Sequence, residues 1–345
     1  MKGGSVSGRS RFSFHILDII ALVCYDVLIE VFFMENLLIA LNCVLPVFIV
    51  ICTGAMMRRS NRVPEATFKH ISTLAFQYLL PCMLFHSIYT TDLSNVFDPK
   101  LLGFQVAFLM IWFALGFILC TIFIPDHRAR GAFIQTFYRS NIAIVGVSMA
   151  DSMMGASGVA SIAVSTAVLV PIYNVLAVIT LEVCRGGKIE LRQTLIGIAK
   201  NPLIFGCLSG AAFLLLGIEL PSSVLKAVSQ IGTAGSVMTL VSLGASFTLS
   251  GVRKNLKKLL VANALRLFIT PLVAIVCAIA IGLEGHDLGI ILLCSATSLA
   301  TTSFPMAIAR DSDHELTGQI VVTTSFFCCI TLFFWIFILK QLGLL

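Results

Sequence analysis

The stretch Pro46-Val-Phe-Ile-Val-Ile-Cys-Thr-Gly54 returns in the second half of the chain as Pro202-Leu-Ile-Phe-Gly-Cys-Leu-Ser-Gly210, with proline and glycine at the same spacing. A second match follows each copy, again equally spaced: Val63-Pro64, Lys69 and Ser72 against Leu220-Pro221, Lys226 and Ser229. Each half contains about five apolar segments, an odd number, so two copies in one membrane must face opposite sides. Inverted repeats are typical of secondary transporters, which hold their substrate near the middle of the bilayer.

The composition of this chain indicates a membrane protein. Hydrophobic residues make up 58% of its 345 residues and charged residues only 12%, and the mean hydropathy is +1.00. Soluble domains carry about 25% charged residues, so this chain has too little polar surface to cover itself in water. The net charge of +6 is therefore not a nucleic-acid signal; in a membrane protein, the distribution of charge over the loops sets orientation.

Ten apolar segments are long enough to cross a bilayer, which takes about 20 residues. They cover roughly 36–57, 70–90, 101–124, 132–153, 157–183, 195–217, 224–249, 257–282, 287–308 and 317–342. We therefore expect an all-α integral membrane protein of ten transmembrane helices. Two inverted five-helix repeats would cover 34–185 and 186–345.

Lysine and arginine are unevenly divided between the two sets of loops that connect these spans. Fifteen lie in one set: Arg58, Arg59, Arg62, Lys69, Arg128, Arg130, Arg185, Lys188, Arg192, Lys200, Arg253, Lys254, Lys257, Lys258 and Arg310. Three lie in the other: Lys100, Lys226 and Lys340. Loops rich in lysine and arginine face the cytoplasm, so both ends of the ten-span core are expected outside a cytoplasmic membrane.

Residues 1–33 stand apart from the core, for which Met34 is a natural start. Their apolar part is interrupted by Asp18, Asp26 and Glu30, and carboxylates are costly inside a bilayer. We favour an upstream start codon that is seldom used. An extra helix with a cytoplasmic N-terminus stays open, as does a targeting segment, although a clean apolar core and a small-residue cleavage site are missing.

Two polar segments occupy matching places in the predicted spans 4 and 9. Span 4 contains Arg139-Ser-Asn141, followed by Gly146 and Ser148, and span 9 contains Thr301-Thr-Ser-Phe-Pro305. Pro305 lacks a backbone donor and clashes with the preceding turn, so we expect a helix break there. Gly146 and Ser148 would permit the matching break in span 4.

Helices broken near the bilayer midplane expose backbone groups that can bind a substrate. We expect the substrate at this crossover, with the Asn141 amide donating hydrogen bonds and with Thr302 and Ser303 lining the site from the other repeat. Asn42 and Asn174 are weaker candidates, in spans 1 and 5. Each feature also has a purely structural interpretation: a proline kink, hydroxyls bonded to their own helix, or an amide that joins two helices.

Several motifs together resemble the auxin efflux carrier family, in its bacterial branch of organic-acid permeases, over the chain from Met34 onward. The motifs are Leu45-Pro46-Val-Phe, Arg139-Ser-Asn141, Pro171-Ile-Tyr173-Asn174, Asn201-Pro202-Leu and Ser303-Phe304-Pro305. The resemblance implies a scaffold part, a transport part and broken crossover helices in spans 4 and 9. In plant relatives the crossover asparagine contacts the substrate carboxylate. Asn141 matches it, seven residues before Ser148, where the family commonly has proline.

We therefore expect a secondary transporter of small organic anions, such as malate or malonate, that works by alternating access. Export can run on the inside-negative potential, whereas uptake needs a coupling ion, H⁺ or Na⁺. No cofactor, metal site or nucleic acid is expected; the partners are the substrate and membrane lipid, and a homodimer is left open. A non-transporting sensor or receptor and a passive channel on the same fold stay as alternatives. A membrane enzyme lacks its motifs here: no Gly-x-Ser-x-Gly, no His-Glu-x-x-His and no mid-membrane aspartate pair.

Overall fold

The computed structural model describes residues 45–91, 98–185 and 191–345. The predictions for residues 1–33 and for Asn42 lie outside these described residues. Within them the structure is helical and contains no β-strand, which confirms the all-α class. The helices are α1 (45–59), α2 (Glu65–Tyr89), α3 (Pro99–Phe123), α4 (His127–Tyr138), α5 (Ile142–Val183), α6 (Leu191–Ala199), α7 (Pro202–Leu215), α8 (Ser222–Ser246), α9 (Leu249–Lys254), α10 (Leu256–Ala280), α11 (Gly285–Ala296), α12 (Ser303–Ala309) and α13 (His314–Gln341).

Six helices in the described part of the chain are long and apolar enough to cross a membrane: α2, α3, α5, α8, α10 and α13. Two more, α7 and α11, are apolar but shorter. This set of helices has the make-up of a multi-pass membrane protein. Ten spans and an inverted repeat stay predictions.

A sharp turn at Gly155 divides the longest helix, α5. A straight helix of its 42 residues would be about 63 Å long, twice the roughly 30 Å hydrocarbon thickness of a bilayer. Gly155 has φ 62° and ψ −149°, a conformation that is open almost only to glycine. The turn separates residues 142–154 from 156–183. It lies between residue 153, where span 4 was predicted to end, and residue 157, where span 5 was predicted to begin.

Two helices begin with the same combination of a polar cap and a proline. Asp98 before α3 and Asn201 before α7 each accept two backbone N–H groups of the first helical turn. The next residues are Pro99 and Pro202. Proline lacks a backbone N–H group, but the N–H at the first position of a helix has no partner within the helix, so no hydrogen bond is lost. These local signals fix where the two helices start.

Glycines allow α1, α2, α7 and α8 to approach one another closely. Gly54 of α1 lies against the backbone of Val241 in α8, and Gly210 of α7 lies against the backbone of Phe85 in α2. A Cβ atom at either glycine would overlap that backbone, as is common where membrane helices pack through small residues. Helices α3, α4, α5, α10, α11 and α13 provide most of the larger of two hydrophobic cores among the described residues. The smaller core contains Leu84 of α2 and Met306 of α12, which lie beside the candidate site.

Candidate functional site

The chain leaves the helical conformation between α4 and α5. Arg139 is extended, with φ −84° and ψ 108°, and Asn141 has φ −90° and ψ 48°. The helix resumes with a π-helical turn over Ile142–Gly146. Single π-helical turns occur frequently at functional sites, so the adjoining residues 139–141 are candidates for such a site.

A second interruption separates α11 from α12 over residues 297–302. Thr297 is extended, with φ −73° and ψ 159°, and α12 begins at Ser303. Pro305 is the third residue of α12, so it lies in the first turn, where a helix does not use the backbone donor that proline lacks. The break predicted at Pro305 therefore lies just before that residue.

The two interruptions cross each other as short extended segments. Ser140 and Leu299 form an antiparallel β-bridge, and the backbone N–H of Asn141 donates to the carbonyl of Ser298 at 2.9 Å. The hydroxyl of Ser140 also contacts the hydroxyl of Thr297. This pairing satisfies backbone groups that no helix uses, as irregular backbone at membrane depth requires.

Arg139 is 1% exposed and lies at the crossing of the two interruptions. Its Nη1 donates to Gln135 Oε1 at 2.9 Å and to Met306 Sδ at 3.1 Å. Its Nη2 donates to Asn174 Oδ1 at 2.9 Å and to Thr302 Oγ1 at 2.8 Å. All four acceptors are neutral, and none of the ion pairs among the described residues includes Arg139. A buried cation without a counter-charge is costly, so this position favours an anion.

A cavity of about 30 Å³ lies beside Arg139. Its walls come from α2, α5 and both interruptions, and include Met83, Leu84, Asn141, Tyr173, Asn174, Thr301 and Thr302. One water molecule needs at least about 10–15 Å³ measured in this way. The cavity therefore has room for no more than a few water molecules in this conformation, and a dicarboxylate does not fit.

The structure brings three of the predicted site residues to this cavity: Asn141, Thr302 and Asn174. The Nδ2 atom of Asn141 is buried without a hydrogen-bond partner, so it is free to donate to a ligand. Ser303 is also buried with an unpartnered hydroxyl, but it stands at the start of α12 and is not among the residues that line the cavity.

The prediction that Gly146 and Ser148 break span 4 is wrong. Gly146 is helical, with φ −62° and ψ −46°, and Ser148 lies inside α5, where its hydroxyl donates to the Ile144 carbonyl at 3.0 Å. The break lies at 139–141 because the backbone there pairs with the other interruption. Ser148 retains its backbone donor, so the helix continues through a position where proline would disturb it.

A second buried arginine, Arg266 of α10, joins the ends of two half-helices. Its Nε donates to the Thr297 carbonyl at 2.8 Å and its Nη1 to the Phe137 carbonyl at 3.3 Å. These carbonyls lie at the C-terminal ends of α11 and α4, where a helix carries partial negative charge. The positive charge of the guanidinium therefore offsets the partial negative charge at both helix ends. The Nη2 atom of Arg266 has no hydrogen-bond partner.

Sequence reasoning named neither arginine as a site residue. Both stand inside predicted spans, Arg139 in 132–153 and Arg266 in 257–282. An ionisable residue within an apolar span is expensive and usually functional. That signal was present in the sequence and identifies both residues without a structure.

Comparisons with known proteins show that this chain is similar to membrane transporters. A family model described as "Membrane transport protein" matches residues 39–336, which span both interruptions. The uncharacterized transporter MJ1031 of Methanocaldococcus jannaschii is 24% identical over 316 residues, which cover 88% of this chain and 99% of that protein. The uncharacterized transporter YfdV of Escherichia coli K12 is 22% identical over 295 residues, which cover 81% and 91%. YfdV of Shigella flexneri matches to the same extent.

Proposed function

Since this chain belongs to the membrane transport protein family, we propose that it is a secondary transporter of small organic anions, such as malate or related carboxylates. The observation that carries the substrate class is the buried guanidinium of Arg139, which has only neutral acceptors around it. A carboxylate supplies the missing negative charge and matches the planar guanidinium with two parallel hydrogen bonds. A family of transporters also argues against the membrane-enzyme interpretation.

The bound carboxylate takes over acceptor positions that protein groups hold in this conformation. One of its oxygens replaces Asn174 Oδ1 or Thr302 Oγ1 as an acceptor for Nη2 of Arg139. Its other oxygen replaces Met306 Sδ as an acceptor for Nη1. The free Nδ2 of Asn141 donates to the same carboxylate. The hydroxyl of Thr302 is able to rotate and donate as well, because a hydroxyl carries both a donor and acceptor lone pairs.

Binding requires the site to open, because a cavity of about 30 Å³ is too small for the proposed substrates. Met83 and Leu84 of α2 close the cavity on one side. Helix α2 packs with α7 and α8, so these helices form a scaffold against which the crossing moves. This is the rocking motion by which alternating-access transporters expose a central site to each side in turn.

The glycine contacts of α1 and α7 support an architecture of ten spans in two inverted repeats. Gly54 contacts Val241, and a shift of 156 positions converts this pair into Gly210 and Phe85, which also contact each other. Two copies related by a two-fold axis exchange their contacts in this way. The exchange favours repeats over 34–185 and 186–345.

The crossing itself supports the same axis. A shift of 157 positions, which aligns Ser148 with Pro305, converts Ser140 into Thr297. These two residues contact each other through their hydroxyl groups. Only residues on a two-fold axis contact their own equivalents, so the proposed substrate site lies where the two repeats meet.

The proposed location is the cytoplasmic membrane, with both ends of the ten-span core outside. The fifteen basic residues on one set of loops favour a cytoplasmic position for that set. The inside-negative potential then favours export of an anion by about 2.3 kcal/mol per charge per 100 mV. Export needs no coupling ion, whereas uptake needs H⁺ or Na⁺.

Counterflow in proteoliposomes tests the proposal. Vesicles preloaded with unlabelled malate or malonate should take up the labelled anion through the wild-type protein, and Arg139→Gln should abolish this uptake. Arg128→Gln is the matched control, because Arg128 forms an exposed ion pair with Asp311, and it should transport normally.

Three results would count against the proposal. Normal counterflow by Arg139→Gln removes Arg139 from the site. Failure of the wild-type protein with every carboxylate rejects the substrate class. Binding of a carboxylate without any counterflow would favour a sensor or receptor over a transporter.

A further inference from the structure

An apolar groove of about 730 Å³ lies on the surface of the protein between α3, α4 and α10. Its apolar walls include Leu119, Phe123, Phe133, Val261, Leu265 and Ile269. Phe123 is 74% exposed and Val261 is 59% exposed, so the groove opens to the surroundings. It is more than twenty times larger than the cavity beside Arg139, and the proposed transport cycle does not use it.

Positive charge is concentrated at one end of the groove. Lys257 and Lys258 line this end, both are exposed, and no ion pair among the described residues includes either of them. Asp126 lies at the same end, but its carboxylate accepts the backbone N–H of Arg128 at the start of α4. Arg130 adds a further cation there, since its guanidinium donates to the carbonyl of Ile124, a lining residue. The end therefore attracts an anion.

The length of the groove matches one leaflet of a bilayer. Lys257 and Ile269 mark its ends on α10, and twelve residues of helix extend about 18 Å. One leaflet contributes about half of a hydrocarbon core that is roughly 30 Å thick. An acyl chain with its headgroup at the lysines therefore spans the groove from the interface to near the bilayer middle.

We propose that this groove is a binding site for an anionic phospholipid. The phosphate lies between Lys257 and Lys258, and an acyl chain lies along the apolar walls. A soluble anion gains nothing from those walls, and a zwitterionic lipid brings no net charge to the lysines. Basic pockets between membrane helices at the cytoplasmic side are suited to anionic headgroups, and lysines 257 and 258 are among the fifteen basic residues of the predicted cytoplasmic loops.

Native mass spectrometry of the purified full-length protein tests the proposal, with phosphatidylglycerol and phosphatidylcholine of identical acyl chains as probes. Phosphatidylglycerol should bind more tightly. Lys257→Gln/Lys258→Gln should weaken its binding roughly 25-fold, because each lysine near an anionic headgroup contributes about a factor of five. Arg253→Gln/Lys254→Gln removes the same charge from neighbouring α9, outside the groove lining, and should change binding less than twofold.

A second variant tests the acyl-chain part of the groove. Ala264 lines the groove and is exposed, so Ala264→Phe should fill it without disturbing the core and should weaken phosphatidylglycerol binding with both lysines in place. An unchanged melting temperature in lipid-free detergent verifies folding.

Equal binding of the two lipids, or an unchanged affinity in Lys257→Gln/Lys258→Gln, would overturn the proposal. So would a dimer that Ala264→Phe converts to a monomer without loss of lipid, because the groove would then hold a second copy of the chain.

Discussion

Arg139 brings a charge to the crossing of the two interruptions, and Asn141 brings a donor with a fixed direction. The guanidinium is held from four elements: α4 through Gln135, α5 through Asn174, the second interruption through Thr302, and α12 through Met306. These contacts fix its plane before a ligand arrives. A ligand therefore meets a donor whose orientation does not have to be ordered on binding.

Arg139→Lys tests whether carboxylate binding depends on the planar shape of the guanidinium as well as on its charge. Lysine keeps the positive charge but donates as a single point, so it cannot form two parallel hydrogen bonds with a carboxylate. Loss of one hydrogen bond to a charged group corresponds to about 1.5–3 kcal/mol, so we expect the Kd to rise about tenfold or more. Calorimetric titration of the protein in detergent with the transported carboxylate measures this. Arg310→Lys, at an arginine paired with Glu182, should leave the Kd unchanged, and an unchanged Kd in Arg139→Lys would exclude bidentate binding.

Asn141→Ala separates ligand binding from stability. The Nδ2 of Asn141 has no partner in the ligand-free protein, so its removal should leave the melting temperature nearly unchanged while the Kd for the carboxylate rises about tenfold. Asn201→Ala should do the opposite: it removes the cap of α7 at a cost of about 1 kcal/mol in stability and leaves the Kd unchanged. A large loss of stability in Asn141→Ala would show that the amide holds helices together.

The sequence predicted the continuous helices better than the interrupted ones. Helix α3, Pro99–Phe123, was predicted at 101–124, and α13, His314–Gln341, at 317–342, because an unbroken apolar run of this length is a local property. The resemblance to the auxin efflux carrier family is confirmed by the family match. The position of the first break was missed because it depends on pairing between Ser140 and Leu299, which no local pattern encodes.

The turn at Gly155 tests how the chain separates two consecutive helices. Gly155→Ala should lower stability by about 1–3 kcal/mol, since φ 62° with ψ −149° strains any residue with a Cβ atom, and the strain should lower the melting temperature in detergent. Gly103→Ala is the matched control: this glycine lies within α3, and an added Cβ would meet no atom within 4 Å. Alanine there should raise stability by about 0.5–1 kcal/mol. A pair of variants with equal melting temperatures would mean that α5 is continuous through this position.

At the scale of the whole molecule, the distribution of charge and the proposed repeat give the same prediction of which loops face which side of the membrane. An odd number of spans in each repeat places equivalent loops on opposite sides of the membrane. The last turn of α1 carries Arg58 and Arg59 and the turn after it carries Arg62, whereas the equivalent turn between α7 and α8 contains no lysine or arginine. The proposed topology and the charge therefore both predict that these two turns lie on opposite sides of the membrane.

Cysteine labelling tests this sidedness with four exposed positions in a variant that lacks the native cysteines. Ser60 follows α1 and Ser250 lies on α9, both in predicted cytoplasmic loops. Ser223 is the second residue of α8 and Glu284 precedes α11, both on the predicted outer side. All four residues are exposed. A membrane-impermeant maleimide added to intact cells should label Ser223→Cys and Glu284→Cys, and should label Ser60→Cys and Ser250→Cys only after lysis. Labelling of Ser60→Cys and Ser223→Cys from the same side would contradict the inverted arrangement, because equivalent turns would then share one face. Complete reversal would preserve the repeat, place the core ends inside, and move Lys257, Lys258 and the proposed lipid site to the outer leaflet.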